Sequence, residues 1–167
     1  MKVLKTQRLV LRKLRDEDAP ALAHAANNYE VVKWLNLLPY PYSMDDAKWF
    51  IDSIRDTKEE PFGVFYNEQY IGVVGTEGSL GLGYWFAQEF WGRGFGTEAA
   101  RAAVDLHFSN AEAADLLSGY VVNNFGSARI QEKLGFKVTG RQMVKRKYLE
   151  EVEQVKTILT REGWLSL

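Results

Sequence analysis

The chain has 167 residues, of which 46% are hydrophobic and 26% are charged, with no cysteine and a formal net charge of −1. The lack of cysteine excludes disulfide scaffolds, thiolate metal sites and cysteine nucleophiles, and the two histidines lie too far apart in sequence for a compact metal motif. The near-zero charge gives no reason to expect nucleic-acid binding. No apolar run resembles a membrane span or a signal peptide, so we expect one soluble, cytoplasmic domain over residues 1–167 without membrane or metal partners.

The first third of the chain predicts one strand and several short helices. Residues 8–14 alternate apolar and polar side chains after their start, as a half-buried strand does. Asp16 or Asp18 can cap a first helix, and residues 30–35 form a second short one. Ser43 opens a third helix, to about residue 57, with a capping box in which aspartate replaces the usual glutamate.

From residue 62 the apolar period changes to two, and later strands alternate with helices. We predict strands at 62–66, 70–76, 82–87, 116–122, 136–140 and 153–161, and helices at 95–108 and 127–134. This order predicts an α/β (α+β) fold with a mixed, mainly antiparallel central sheet and helices on both faces.

A strand-to-helix turn with three glycines is the most informative segment. Gly92, Gly94 and Gly96 precede a predicted helix, and such a turn exposes backbone N–H groups beside the positive end of the helix dipole, which suits a phosphate or diphosphate. The turn has no lysine for a Walker loop, and Thr97 stands where a dinucleotide fingerprint needs glycine. Taken alone, the turn could also serve only close packing of the strand against the helix.

Two segments carry a family resemblance. Residues 91–96 (WGRGFG) resemble the coenzyme A loop [RQ]-x-x-G-x-[GA] of the GCN5-related N-acetyltransferase family, with Trp91 in the first position. Residues 90–94 look like the loop of its branch that resembles ribosomal-protein alanine and serine N-acetyltransferases. About 30 residues later, residues 124–136 are similar to the family's N-x-x-[AS]-x-x-x-x-x-K-x-G-F. Residues 6–12 and 159–164 also look like this branch.

The resemblance implies an acyl-CoA N-acyltransferase-like fold, with acetyl-CoA as cosubstrate and no metal. In that fold the strands at 82–87 and 116–122 part at their ends to admit the pantetheine arm. The backbone amides that would hold the diphosphate are those of Trp91, Gly92, Arg93, Gly94, Phe95, Gly96 and Thr97. The side chain of Arg93 either adds charge or is solvated. Asn124 would bind the pantetheine arm, cap a helix, or do both, and an N–H near Phe86 would stabilise the oxyanion.

The catalytic side chains are harder to assign. Many family members have a tyrosine four residues after the [AS] position, where this chain has Gln131. We therefore take Ser127 as the candidate proton donor to the thiolate, with a locally bonded helical serine as the alternative. The branch often has a glutamate where this chain has Gly81, so Glu77 is the candidate base, with an exposed hairpin residue as the alternative.

The resemblance thus implies an N-acetyltransferase that moves the acetyl group of acetyl-CoA to a primary amine by direct attack. The acceptor is a peptide N-terminus or a small amine of similar pKa, because weakly basic amines are more often neutral at pH 7. Residues 39–42 are the candidate acceptor loop. The acidic segment 16–60 is either a set of solvated helix faces or a surface that attracts a cationic acceptor.

The alternatives are a non-catalytic module that binds and senses acyl-CoA, and a nucleotide-binding protein that uses the same turn. Both monomer and homodimer are compatible with the sequence.

Overall fold

The computed structural model describes residues 2–57, 61–77 and 81–167, and only the backbone of residue 77. The strands are Val3–Lys5 (β1), Leu9–Arg12 (β2), Phe62–Tyr66 (β3), Gln69–Glu77 (β4), Gly81–Phe86 (β5), Leu116–Val121 (β6), Lys137–Val144 (β7) and Val152–Leu159 (β8). The α-helices are Ala19–Ala26 (α1), Tyr29–Val32 (α2), Met44–Ile54 (α3), Phe95–Phe108 (α4), Phe125–Lys133 (α5) and Arg161–Leu165 (α6). Within these ranges no helix has both the length and the apolar character needed to cross a membrane.

The strands form two antiparallel sheets with helices on both faces. One sheet has the order β1-β2-β3-β4-β5, and the other has the order β6-β8-β7. Neighbouring residues of β4 point to opposite faces: Ile71 packs in a cluster with residues of α4, whereas Tyr70 packs in a cluster with residues of α1 and α3. The predicted mixed, mainly antiparallel fold is confirmed, with the central sheet divided in two.

The two sheets meet along β5 and β6, and the described contacts between these strands lie near their first residues. A Cβ on Gly81 would meet the carbonyl oxygen of Leu117, and Ser118 Oγ donates to Leu82 O at 2.8 Å. From the first contact to the second, the residue number rises by one on both strands, so β5 and β6 run in the same direction. Past Leu82, the described ladders join β5 only to β4 and β6 only to β8, which leaves a gap between the carboxyl ends of β5 and β6.

The helix that follows the glycine turn agrees with its prediction at both ends, residues 95 and 108. The predicted capping box is also present, because Ser43 Oγ accepts from Asp46 N at 3.1 Å and Asp46 Oδ2 accepts from Ser43 N at 2.8 Å. The helix that it opens ends at Ile54, three residues earlier than predicted.

The predicted aspartate cap of the first helix is wrong. The Asp18 carboxylate accepts bonds from both terminal nitrogens of Arg12, at 2.8 and 2.9 Å, and from Arg15 N at 2.7 Å. It therefore faces β2, and α1 begins without a side-chain cap. The short elements β1 and α6 were not predicted, and residues 78–80, between β4 and β5, lie outside the described residues.

Candidate active site

The glycine turn requires glycine for two different reasons. Gly92 and Gly94 have φ of +72° and +80°, a left-handed conformation that costs side-chain-bearing residues roughly 1–2 kcal/mol. Gly96 lies in the first turn of α4, where a Cβ would come within 2.7 Å of Ile130 Cδ1. The first two glycines therefore shape the turn, and the third allows α4 to approach α5.

The turn presents a run of backbone N–H groups without helical partners. The first hydrogen bond of α4 runs from Glu98 N to Gly94 O at 3.1 Å, so the amides of Phe95, Gly96 and Thr97 precede the helical ladder. Trp91 N donates to Gln88 O at 3.1 Å. The amides that remain for an anion therefore begin at Gly92, and Trp91 is not among them.

The Arg93 side chain packs against aromatic rings. Its guanidinium lies 4.9 Å from the ring centroid of Phe95, 5.4 Å from that of Tyr66 and 5.6 Å from that of Phe90. Such cation–π contacts contribute about 0.5–1 kcal/mol at exposed sites. Arg93 therefore anchors the turn to the core and leaves its positive charge at the surface.

A second arginine, Arg8, stabilises the glycine turn from the connection between β1 and β2. The sequence did not reveal this residue as part of the site. Glu98 Oε1 accepts from Thr6 Oγ1 at 2.5 Å and from Arg8 N at 2.8 Å, and Oε2 accepts from Arg8 Nε at 2.7 Å. Arg8 Nη1 donates to Arg93 O at 3.0 Å. Burial alone would raise the pKa of Glu98, but the bonds from Thr6 and Arg8 outweigh burial and lower this pKa. The segment 6–12 therefore fixes the start of α4.

The edge of β5 next to the gap carries unpaired backbone groups. Ala87 N donates to Ile71 O at 2.9 Å, so Phe86 is in a non-hydrogen-bonded pair of the antiparallel ladder, and its N–H and C=O face the gap. The same alternation points the backbone groups of Tyr84 to the gap. The Trp91 indole donates to Phe86 O at 2.8 Å, which leaves the Phe86 N–H as the donor at the end of β5.

The opposite wall of the gap is the start of α5. Asn124 caps this helix, because its Oδ1 accepts from Ser127 N at 3.2 Å, while its side-chain N–H groups remain for another acceptor. Ser127 is half-buried, and its Oγ lies 2.7 Å from the Tyr84 hydroxyl. The structure thus brings Asn124 and Ser127 to the same gap as Phe86.

Glu77 lies at the end of the β4–β5 pair that is far from Phe86. Its backbone pairs with Gly81, five residues before Phe86, or roughly 16 Å at about 3.3 Å per residue. Its side chain lies outside the described part of the chain. The role of Glu77 as the base therefore stays a prediction.

The two histidines make separate contacts. His107 Nε2 lies 2.7 Å from Ala114 O, a structural contact. His24 lines a surface cavity of about 260 Å³ between α1 and residues 87–89, slightly below the roughly 300–1,000 Å³ of typical ligand sites. Within the described residues no three His, Asp or Glu side chains are placed to hold a metal ion.

Replacing Glu98 tests whether its bonds with Thr6 and Arg8 stabilise the fold. Glu98→Gln removes the negative charge that accepts bonds from Thr6 and Arg8, so the free energy of unfolding at pH 7 should fall by about 1 kcal/mol. Because the folded-state pKa of Glu98 lies below its ordinary value, this contribution is present above about pH 4.5 and is lost as the pH falls through the lowered pKa.

Urea unfolding of both proteins from pH 3 to 8 measures this dependence. The two stabilities should converge in acid. Glu17→Gln, at an exposed carboxylate paired with Arg15, is the control and should change stability by less than about 0.5 kcal/mol. An equal loss at every pH for Glu98→Gln would show that the charge of Glu98 does not stabilise the turn.

Comparison with known proteins agrees with this geometry. The family model described as "Acetyltransferase (GNAT) domain" matches residues 8–137. The chain is 28% identical over 152 residues to the uncharacterized N-acetyltransferase p20 of Bacillus licheniformis, covering 84% of this chain and 85% of that protein. The structure of Mycobacterium smegmatis RimJ in complex with CoA-disulfide superposes with a TM-score of 0.78 at 19% identity, over 92% of this chain and 82% of that one. The structure of RimL, a ribosomal L7/L12 alpha-N-protein acetyltransferase, superposes with a TM-score of 0.79 at 14% identity, over 95% of this chain and 94% of that one. The chain therefore belongs to the GNAT family of acetyltransferases.

Proposed function

We propose that residues 1–167 form one N-acetyltransferase domain that transfers the acetyl group of acetyl-CoA to the α-amine of a peptide or to a small amine of similar pKa. The observation that carries this proposal is the run of unpaired amides from Gly92 to Thr97, beside the Phe86 N–H, which has no partner on β4. Together they offer donors for a diphosphate and for a thioester arm at one end of the gap.

Acetyl-CoA supplies an activated acetyl thioester, and the chain supplies the groups that bind it. The amides of Gly92–Thr97 and the positive end of α4 hold the diphosphate. The outward-facing backbone of Tyr84 and Phe86 binds the pantetheine arm as an added strand would be bound. The side-chain N–H groups of Asn124, left free by its capping bond, bind the same arm from α5.

The chemistry needs a donor for the oxyanion and a proton for the leaving sulfur. The neutral amine attacks the carbonyl carbon, and the Phe86 N–H stabilises the negative charge that develops on oxygen. As the carbon–sulfur bond breaks, Ser127 Oγ donates a proton to the thiolate. Its half-buried place on the wall of the gap opposite Phe86 supports this role.

The acceptor class follows from the distance to the nearest candidate base. The backbone of Glu77 pairs with Gly81, roughly 16 Å along the strand from Phe86 at about 3.3 Å per residue, which favours an acceptor that needs no carboxylate base. An α-amine with a pKa of about 7.7–8.0 is roughly one-tenth neutral at pH 7, whereas a lysine amine at about 10.4 is neutral in less than one part in a thousand. The site therefore favours weakly basic amines, and the alpha-N-protein activity named for RimL is of this class.

The candidate acceptor loop has one exposed aromatic residue. Tyr40 is 48% exposed and packs edge-on against Tyr29 at 5.6 Å between centroids, whereas Tyr42 is buried in the core beneath α1 and α3. The exposed ring of Trp49 lies 5.9 Å from Lys147 Nζ. We propose that Tyr40, rather than Tyr42, contacts the acceptor from the loop at 39–42.

A matched pair of substitutions at Gly92 tests the diphosphate site. The space around Gly92 is open, since a Cβ there would meet no atom within 4 Å. Gly92→Ala and Gly92→Glu both strain the left-handed backbone, but only the glutamate adds negative charge beside the amides. We expect calorimetry to show CoA binding to Gly92→Glu at least about tenfold weaker than to Gly92→Ala, a factor that shrinks as added salt screens the repulsion.

Equal affinities of the two variants at low salt would mean that the diphosphate lies elsewhere. Thermal unfolding with CoA, ATP or NAD provides the control for the ligand class, since only CoA should stabilise the wild-type chain.

A pH series of acetylation rates tests the acceptor. Alanine- or serine-starting peptides without lysine should react faster at pH 7 than polyamines, and their rate should level off above about pH 8, where the α-amine is neutral. Polyamine rates should keep rising about tenfold per pH unit. Faster polyamine acetylation at neutral pH would contradict the α-amine proposal, and thiol release without an added amine serves as the blank.

A further inference from the structure

Tyr84 reaches across the gap from β5 to α5. Its hydroxyl lies 2.7 Å from Ser127 Oγ and 3.3 Å from Ser127 O. The contact joins residues 43 positions apart, one from each wall of the gap. Tyr84 is therefore placed to exchange a proton with the serine to which we assign protonation of the thiolate.

The surrounding hydrogen bonds direct the phenolic proton of Tyr84. Gln131 Nε2 lies 3.0 Å from Gly119 O and 3.0 Å from Ser118 Oγ. A carbonyl can only accept, which fixes the orientation of this amide. The same nitrogen lies 3.5 Å from the Tyr84 hydroxyl, and an amide N–H₂ has no lone pair to accept the phenolic proton. Tyr84 therefore donates to Ser127, either to its carbonyl oxygen or to its Oγ. When Oγ is the acceptor, the Ser127 Oγ–H is free to donate to another group.

The acidities of the groups explain why a serine needs such a neighbour. An aliphatic hydroxyl is about as weak an acid as water, and so a far weaker acid than a thiol, with a pKa of about 8.5, or a phenol, with a pKa of about 10. A serine that protonated a thiolate alone would become a strongly basic alkoxide. Burial raises the pKa of Tyr84, partly offset by its bonds with Ser127 and Gln131, so the phenol keeps its proton at neutral pH.

We propose that the Tyr84 hydroxyl supplies the proton that replaces the one Ser127 gives to the thiolate. As the carbon–sulfur bond breaks, the electron pair goes to sulfur, Ser127 Oγ gives its proton to sulfur, and the Tyr84 hydroxyl gives its proton to Ser127 Oγ. The nitrogen of the new amide releases one proton to water, and Tyr84 regains one from water, so the products are an amide and a thiol. This proposal rests on the proposed function. Tyr84 acts through Ser127 and is a positioning residue.

A double-mutant cycle tests the relay with the full chain. Tyr84→Phe keeps the ring and removes the hydroxyl, and we expect kcat to fall about 10–100-fold while the Kd of CoA changes less than twofold. Ser127→Ala should lower kcat by at least as much, and the double variant should be no slower than Ser127→Ala. Tyr120→Phe, on the neighbouring β6, removes a similar hydroxyl and is the matched control.

A pH profile distinguishes proton transfer from a packing role. Fluorotyrosine at position 84 makes the phenol more acidic, so loss of the phenolic proton should lower kcat at a lower pH than in the wild type, beyond the plateau above about pH 8. An unshifted profile, additive losses in the cycle, or full activity of Tyr84→Phe would overturn the relay while leaving the acetyltransferase intact. A wild-type chain that does not bind CoA would instead overturn the proposed function and the relay with it.

Discussion

The functional geometry depends on the point at which β5 and β6 separate. Ser118 Oγ satisfies Leu82 O at the start of the strands, but beyond it the outward backbone groups of Tyr84 and Phe86 have no neighbouring strand. Backbone groups removed from water without a partner cost roughly 1–3 kcal/mol each. A parted strand edge therefore favours a ligand that offers its own hydrogen-bonding groups, as the amides of a pantetheine arm do.

The surroundings of the gap hold it open and position its donors. On one side the bonds from Thr6 and Arg8 to Glu98 fix the start of α4, so the glycine turn keeps its amides in place without a ligand. On the other side Gln131, which is 1% exposed, accepts from Thr157 Oγ1 at 2.5 Å and ties α5 to the second sheet. The residue that stands at the family's tyrosine position is thus structural in this chain, and Tyr84 brings a phenol to Ser127 from the opposite strand.

Local signals predicted the parts of the site that depend on neighbouring residues. The glycine turn and the start of α4 follow from Gly92, Gly94 and Gly96, and the Asn124 cap follows from its place before a short helix. The bonds between Arg8 and Glu98 and between Tyr84 and Ser127 join residues 90 and 43 positions apart. Packing of the sheets selects these partners, so spacing along the chain could not reveal them. The role of Asp18 could not be predicted for the same reason, because its bonds to Arg12 depend on the position of β2.

Amide hydrogen exchange of the full chain, followed residue by residue with and without CoA, tests the central claim most directly. CoA should slow exchange at Phe86 and at Gly92–Thr97, because these amides lack internal acceptors until the ligand provides them. The Trp91 and Glu98 amides already donate within the chain, so they should exchange slowly in both states. Protection confined to the cavity beside His24, or no protection at saturating CoA, would contradict the account.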